Sequence, residues 1–124
     1  YMVAAGLPKA REDHAEIIAD MALAMQAEAQ RLSKEMDEDV SLRIGIHSGP
    51  AIAGVIGTSK VFYDVWGDTV NTASRMESHG APGRIQVTAT SRALLEATYC
   101  FSPRGPVEIK GIGQIETWWL EGPL

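Results

Sequence analysis

The chain has 124 residues, 45% hydrophobic and 22% charged, with a formal net charge of −5 at neutral pH. That is the size of one domain with enough apolar residues for a real core, and the acid excess argues against a general nucleic-acid binder, which carries a basic surface. The only cysteine, Cys100, leaves no partner for an intrachain disulfide or a cysteine metal cluster and suits a reducing compartment; no apolar run reaches the roughly 18–20 residues that cross a bilayer, and no signal-peptide pattern is present.

The apolar opening Tyr1–Ala5 reads as a short strand ending at Gly6 and Pro8, which implies a chain continuing from something longer. Asp13 and Glu16 have the spacing of a capping box. Beyond them Ile18, Met21, Ala22, Met25, Ala29, Leu32 and Met36 recur at helical spacing, predicting an amphipathic helix over about 13–34 with the methionines in the core. The acidic run 35–39 is a solvated connector. "SLRIGIHSG" alternates as a strand, Ser48-Gly49-Pro50 signals a turn, and "AIAGVIG" resumes, so 42–57 is expected to be a hairpin. Gly54 and Gly57 mark a bulge or a close backbone approach.

Residues 61–65 read as extended, and Asp68 or Thr69 is placed to cap a helix that stops at "GAPG" (80–83). "RIQVT" is a strand, "SRALLEAT" a short helix, and "VEIKGIGQIETWWLEG" two strands around a glycine-rich turn. The order β-α-β-β-β-α-β-α-β-β predicts a two-layer α+β domain with mainly antiparallel pairing.

Within the second helix Asn71 and Arg75 stand one turn apart on the same face. Arginine offers a rigid fork of donors with a permanent charge, and asparagine both donates and accepts; together they suit a phosphate beside a sugar. Asp64 lies on the extended approach to that helix, where an ionised carboxylate accepts from an exposed amino group such as that of adenine. Lys110, at a strand end beside two glycines, Gly111 and Gly113, is placed for a phosphate. Each has a plainer reading: Asn71 and Arg75 as a wetted helix face, Asp64 as a turn or cap residue, Lys110 as an ordinary surface lysine. Trp66 reads as a packing anchor, and of Trp118 and Trp119 one should face the core and one outward. His14, His47 and His79 lack metal-ligand spacing, and Cys100 beside Phe101 reads as buried packing.

The segment "FYDVWGDTVNTASRMES" (62–78) resembles the signature of class III nucleotidyl cyclases, the adenylate and guanylate cyclase catalytic domains. "LRIGIHSGPAIAGVIG" resembles the hairpin that precedes this signature in the family, "RIQVT" and "VEIKGIG...TWWL" the strands that follow it, and "YMVAAG" the strand after the family's "GD" metal motif, so the likeness spans essentially residues 1–124. It implies a ferredoxin-like, βαββαβ-derived fold, a two-layer mainly antiparallel sheet with helices on one face.

The resemblance also assigns roles. Asp64 matches the position that reads the adenine amine, Asn71 the ribose-orienting asparagine, Arg75 the arginine that stabilises transition-state charge, and Lys110 the lysine on the terminal phosphates. It implies conversion of ATP to 3′,5′-cyclic AMP and pyrophosphate with two divalent cations, Mg2+ or Mn2+, in a homodimer or with a partner cyclase chain, in the cytoplasm. The family's two metal-binding aspartates and one adenine-reading lysine match no position here; on this reading the chain is the C-terminal two thirds of the catalytic domain, lacking its first strand and first helices, and alone should be inactive. A non-catalytic pseudo-cyclase module that dimerises with an active chain, and guanylate cyclase activity, are the alternatives.

Overall fold

A computed structural model describes residues 3, 5, 12–49, 52–55, 63–66, 68–111 and 113–124; within 52–55, 63–66 and at 68 it describes the backbone alone. The elements are α1 (His14–Met36), β1 (Ile44–Ile46), β2 (Ile52–Val55), β3 (Tyr63–Trp66), α2 (Asp68–Ser78), β4 (Ile85–Thr88), α3 (Ala89–Leu95), β5 (Tyr99–Ile109) and β6 (Gly113–Pro123). The strand expected at 1–5 lies outside the described residues, except for Val3 and Ala5, which are not in a strand.

α1 covers the predicted helix and runs two residues further, closing where Asp37 adopts a left-handed conformation and Glu38 N–H donates back to Ser33 O. Asp13 sits at the N-cap position but makes no side-chain cap bond, so the expected capping box does not form as written. The buried stripe of α1 consists of alanines, Ala15, Ala19, Ala22 and Ala29, rather than methionines. Met21 and Met36 are 41% and 54% exposed, which corrects the placing of the methionine stripe in the core. Small side chains bring the helix axis close to the sheet, and the longer methionines are turned to its flanks.

The main sheet has the order β1-β4-β6-β5, with β1 parallel to β4 and the other pairs antiparallel. β2 and β3 form a separate antiparallel pair, Ile52 opposite Trp66 and Val55 opposite Tyr63. The hairpin expected over 42–57 is therefore not what forms: β1 joins β4 across α2, and β2 turns to β3 instead. Local turn signals at Ser48-Gly49-Pro50 do not reveal such a long-range partner. The α+β class and mainly antiparallel pairing hold.

Ile46, Ile85, Val87 and Leu120 meet Ala15, Ala19 and Ala22 of α1, Leu95 of α3 and Tyr99 in one core cluster, with Trp118 packed against it. Side chains alternate across a strand, so the register partners Gly45 and Gln86 face the other way. There they meet α2: Gln86 Nε2 donates to Met76 O at 3.2 Å. α1 and α3 share one face as expected, whereas α2 covers the opposite face at the β1–β4 edge, where the layers number three rather than two. Glycine at 45 and the absence of charge at 86 make that second face coverable.

β5 and β6 form a long hairpin with register shifts between Cys100 and Phe101 and between Pro103 and Gly105. The second shift leaves Arg104 outside the register, its guanidinium 5.1 Å from the Trp119 ring centroid, with Arg84 over the same ring at 4.6 Å. Trp118 thus faces the core and Trp119 the outer side. Cys100 is exposed, correcting its expected burial: strand parity gives the inward positions to Tyr99 and Phe101.

Candidate active site

The site candidates are built around β3 and α2. Asp64 lies in the middle of β3, its backbone opposite Gly54; its side chain, like that of Trp66, lies outside the described part. One residue separates Trp66 from the start of α2, so the strand carrying Asp64 feeds directly into the helix carrying Asn71 and Arg75, and α2 packs on β3 as well as on β1 and β4.

α2 is oriented by its buried row. Thr72 and Met76, one turn apart, are buried, with Met76 wholly enclosed. Asn71 and Arg75, the residues immediately before each, are both exposed, so burying one row presents the other to solvent. Among the described residues no side-chain hydrogen bond or ion pair engages Asn71 or Arg75, whereas neighbouring Glu77 pairs with Arg43 at 3.2 Å. The helix continues through Arg75, whose carbonyl accepts from His79 N–H at 2.9 Å, and ends by Gly80, whose N–H donates to Glu77 O.

Lys110 lies exposed in the turn between β5 and β6, followed by Gly111 at φ 87°. Thr88, the last residue of β4, pairs with Thr117, and the hairpin continues past it to Ile109 and Gly113. The turn therefore projects beyond the end of β4 by roughly 15 Å at about 3.3 Å per residue. α2 starts at that same end, because Gly49, just past β1, lies beside Thr69. Lys110 thus shares an end of the molecule with the start of α2, with no hydrogen bond to Asn71 or Arg75 among the described residues. Four candidate residues stand on two separate supports.

Sequence reasoning passed over the loop after β1. His47 Nδ1 is hydrogen-bonded to Thr88 Oγ1 at 2.7 Å, and Ser48 Oγ to His14 Nε2 at 2.5 Å, joining β1 to β4 and to α1. Burial pushes the His47 imidazole below its ordinary value, favouring the neutral ring. Tyr99 is pushed up to about 12, first by burial, then by its hydrogen bond to Asp20 and the charges of Asp20 and Glu16. It clamps α1 to β5, away from Asn71 and Arg75. Gly45, inside the strand segment "IGI", carries the same sequence signal for a close backbone approach as Gly54 and Gly57.

Among the described residues no three His, Cys, Asp or Glu side chains converge as metal donors. The described residues therefore do not fit the divalent cations implied by the resemblance. No helix is long and apolar enough to cross a membrane among the described residues.

The family model described as the adenylate and guanylate cyclase catalytic domain matches residues 1–122. An adenylate cyclase of Mycobacterium tuberculosis is 44% identical over 122 residues, covering 98% of this chain and 28% of the relative. Guanylate cyclase soluble subunit beta-2 of Rattus norvegicus is 43% identical over 122 residues, covering 97% of this chain and 18% of the relative. The chain thus spans less than a third of the length of these relatives. Among solved structures, the guanylate cyclase domain of RhGC from Catenaria anguillulae, in complex with GTP, superposes with a TM-score of 0.86 at 33% identity, over 96% of this chain and 65% of that one. The adenylyl cyclase CyaB from P. aeruginosa shares the fold, with a TM-score of 0.84 at 22% identity, over 93% and 63%.

Proposed function

The chain belongs to the family of adenylate and guanylate cyclase catalytic domains, and from that premise we propose that it supplies the base-reading and charge-stabilising side of a nucleotide cyclase site acting on ATP. The observation that carries this reading is α2 itself: it buries Thr72 and Met76 and holds Asn71 and Arg75 outward, immediately after the strand that contains Asp64.

In the proposed reaction the ribose 3′-hydroxyl loses its proton to solvent, its oxygen forms a bond to the α-phosphorus, and the bond from that phosphorus to the oxygen bridging to the β-phosphorus breaks, the electron pair leaving with pyrophosphate. Cyclic AMP and pyrophosphate result. Asn71 orients the ribose, Arg75 donates to the oxygens on which charge grows, and Lys110 holds the terminal phosphates. Two divalent cations, Mg2+ or Mn2+, supply charge neutralisation in such reactions; their ligands are proposed to come from outside the described residues. The nucleotide would sit between this chain and a second cyclase chain, and ATP as substrate makes the cytoplasm the proposed location.

ATP is favoured over GTP by Asp64. A carboxylate accepts from the adenine amine, whereas guanine presents a carbonyl oxygen at that place and two acceptors would face each other unpaired; mismatches of this kind discriminate strongly. Guanylate cyclase activity is the second reading, supported by the soluble beta-2 subunit among the relatives. Competition between ATP and GTP in the intact protein separates the two, a preference for GTP removing the proposed role of Asp64.

Arg75→Ala is expected to lower kcat by about 100- to 1000-fold, the usual loss, roughly 3–4 kcal/mol, for one preorganised charge-stabilising donor. Asn71→Ala should act in the same direction. Turnover unchanged in both variants would remove the site assignment.

A further inference from the structure

α2 meets β1 and the loop after it at two glycines. A Cβ added at Gly45 would lie 2.1 Å from Glu77 N, 2.5 Å from the Met76 carbonyl carbon and 2.7 Å from Met76 Cβ. The first two are backbone atoms, which cannot rotate aside. A Cβ at Gly49 would meet Thr69 Oγ1 at 2.9 Å and His47 Nε2 at 3.3 Å. Neither glycine has the left-handed φ that would call for glycine on conformational grounds, so at both positions the missing side chain matters for the space it leaves.

The two contacts bracket the residues proposed to act on the nucleotide. Thr69 precedes Asn71 along α2, and Met76 and Glu77 follow Arg75 directly. A helix held at two points fixes everything between them, since its rise and rotation per residue are set by its own hydrogen bonds. The support is held in turn: β1 pairs with β4, His47 bonds to Thr88, and Ser48 bonds to His14.

We propose that Gly45 and Gly49 are positioning residues for the cyclase reaction, their bare Cα atoms seating α2 so that Asn71 and Arg75 stand at working height over the bound nucleotide. Neither glycine touches substrate; each acts through the helix. A methyl group at 45 lifts the C-terminal half of α2 from the sheet and carries Arg75 with it. One at 49 presses on the N-terminal turn, nearer Asn71. A displacement of about 1 Å in a positioned group can cost on the order of 100-fold in rate. The inference rests on the proposed roles of Asn71 and Arg75.

The test measures kcat and KM for ATP in the intact protein for Gly45→Ala, Gly49→Ala, Arg75→Ala and the double variants of each glycine with Arg75→Ala, with a melting curve for each to establish folding. Each folded glycine variant is expected to lose roughly 10- to 100-fold in kcat with little change in KM. In the Arg75→Ala background the Gly45→Ala loss should largely vanish, because an arginine that is absent cannot be misplaced. A merely structural role would instead add its penalty to that of Arg75→Ala. If Gly45→Ala does not fold, Gly49→Ala decides alone, and adding Thr69→Ala, which removes the opposing hydroxyl, should restore its kcat. A folded glycine variant with wild-type kcat, or a Gly45→Ala loss fully additive with Arg75→Ala, overturns the positioning role. Wild-type turnover in Arg75→Ala would instead overturn the reading beneath it, and the positioning role with it.

Discussion

At the scale of single residues, His47 shows how a side chain outside the proposed chemistry still bears on it. Its ring is half-buried and bonded to Thr88, and burial holds its value below the ordinary 6.5. The unfolded chain therefore takes up a proton at a higher pH than the native one. Above 6.5 both forms are neutral at this position and the native state keeps its full stability; as pH falls from 6.5 through the lower native value, that contribution is lost. His47→Asn keeps a polar group of about the reach of Nδ1 toward Thr88 and removes the titration. Urea midpoints at about pH 7.5 and about pH 5.5 should therefore differ less in His47→Asn than in the wild type. Equal differences in the two proteins would show that His47 titrates as it does in the unfolded chain. His47 was legible from the sequence as a residue without metal-ligand spacing; its bond to Thr88, 41 residues away, depends on a strand pairing that no local pattern encodes.

At the scale of elements, α2 is the piece on which stability and the proposed chemistry meet. Met76 is wholly buried against β1 and β4, and its carbonyl accepts from Gln86 Nε2, while Gln86 Oε1 has no partner among the described residues. Met76→Ala removes the side chain from an enclosed site and is expected to cost about 2–5 kcal/mol of stability, read from urea unfolding. A cost below about 1 kcal/mol would mean that the sheet closes over the vacated space. Periodicity in the sequence marked α1, because an amphipathic helix writes its buried face in its own residues, while α2 was marked by its cap residues and the glycine-proline stop after it. The β5–β6 hairpin was marked by its glycine turn. The partner of β1 was hidden, since Ile44–Ile46 would suit a hairpin or a parallel crossover equally well, and only α2 lying across the sheet decides between them. The apolar spacing of α1 marked a helix, but its methionines were assigned to the core in error: alanines hold the interior, where small side chains admit close packing. The Asn71–Arg75 pair was visible as a helical spacing and Asp64 as an acid before a helix; the separation of Lys110 onto the distant β5–β6 turn follows from strand register, which spacing does not carry.

At the scale of the whole molecule, the placement of the candidates bears on how many chains make one site. Asn71 and Arg75 stand outward on α2, and Lys110 projects on its own hairpin. Nothing in the described residues closes over them from within this chain, and a second chain facing α2 and the β5–β6 turn would complete the proposed cleft. If the proposed pair is symmetric and head-to-tail, each intact protein would give Arg75 to one site and cation ligands to the other, so defects in the two contributions should complement. Arg75→Ala protein mixed in equal amounts with a variant of the intact protein defective in cation binding should form heterodimers holding one intact and one doubly defective site. Random pairing makes about half the dimers heterodimers, so activity should recover to about a quarter of the wild-type value while each variant alone stays near background. Recovery to that level would assign Arg75 and the cation ligands to opposite chains. No recovery despite dimer formation, seen by sedimentation, would place both contributions on one chain or leave this domain as a binding partner without chemistry, and ATP turnover by the unmodified intact protein distinguishes those two outcomes.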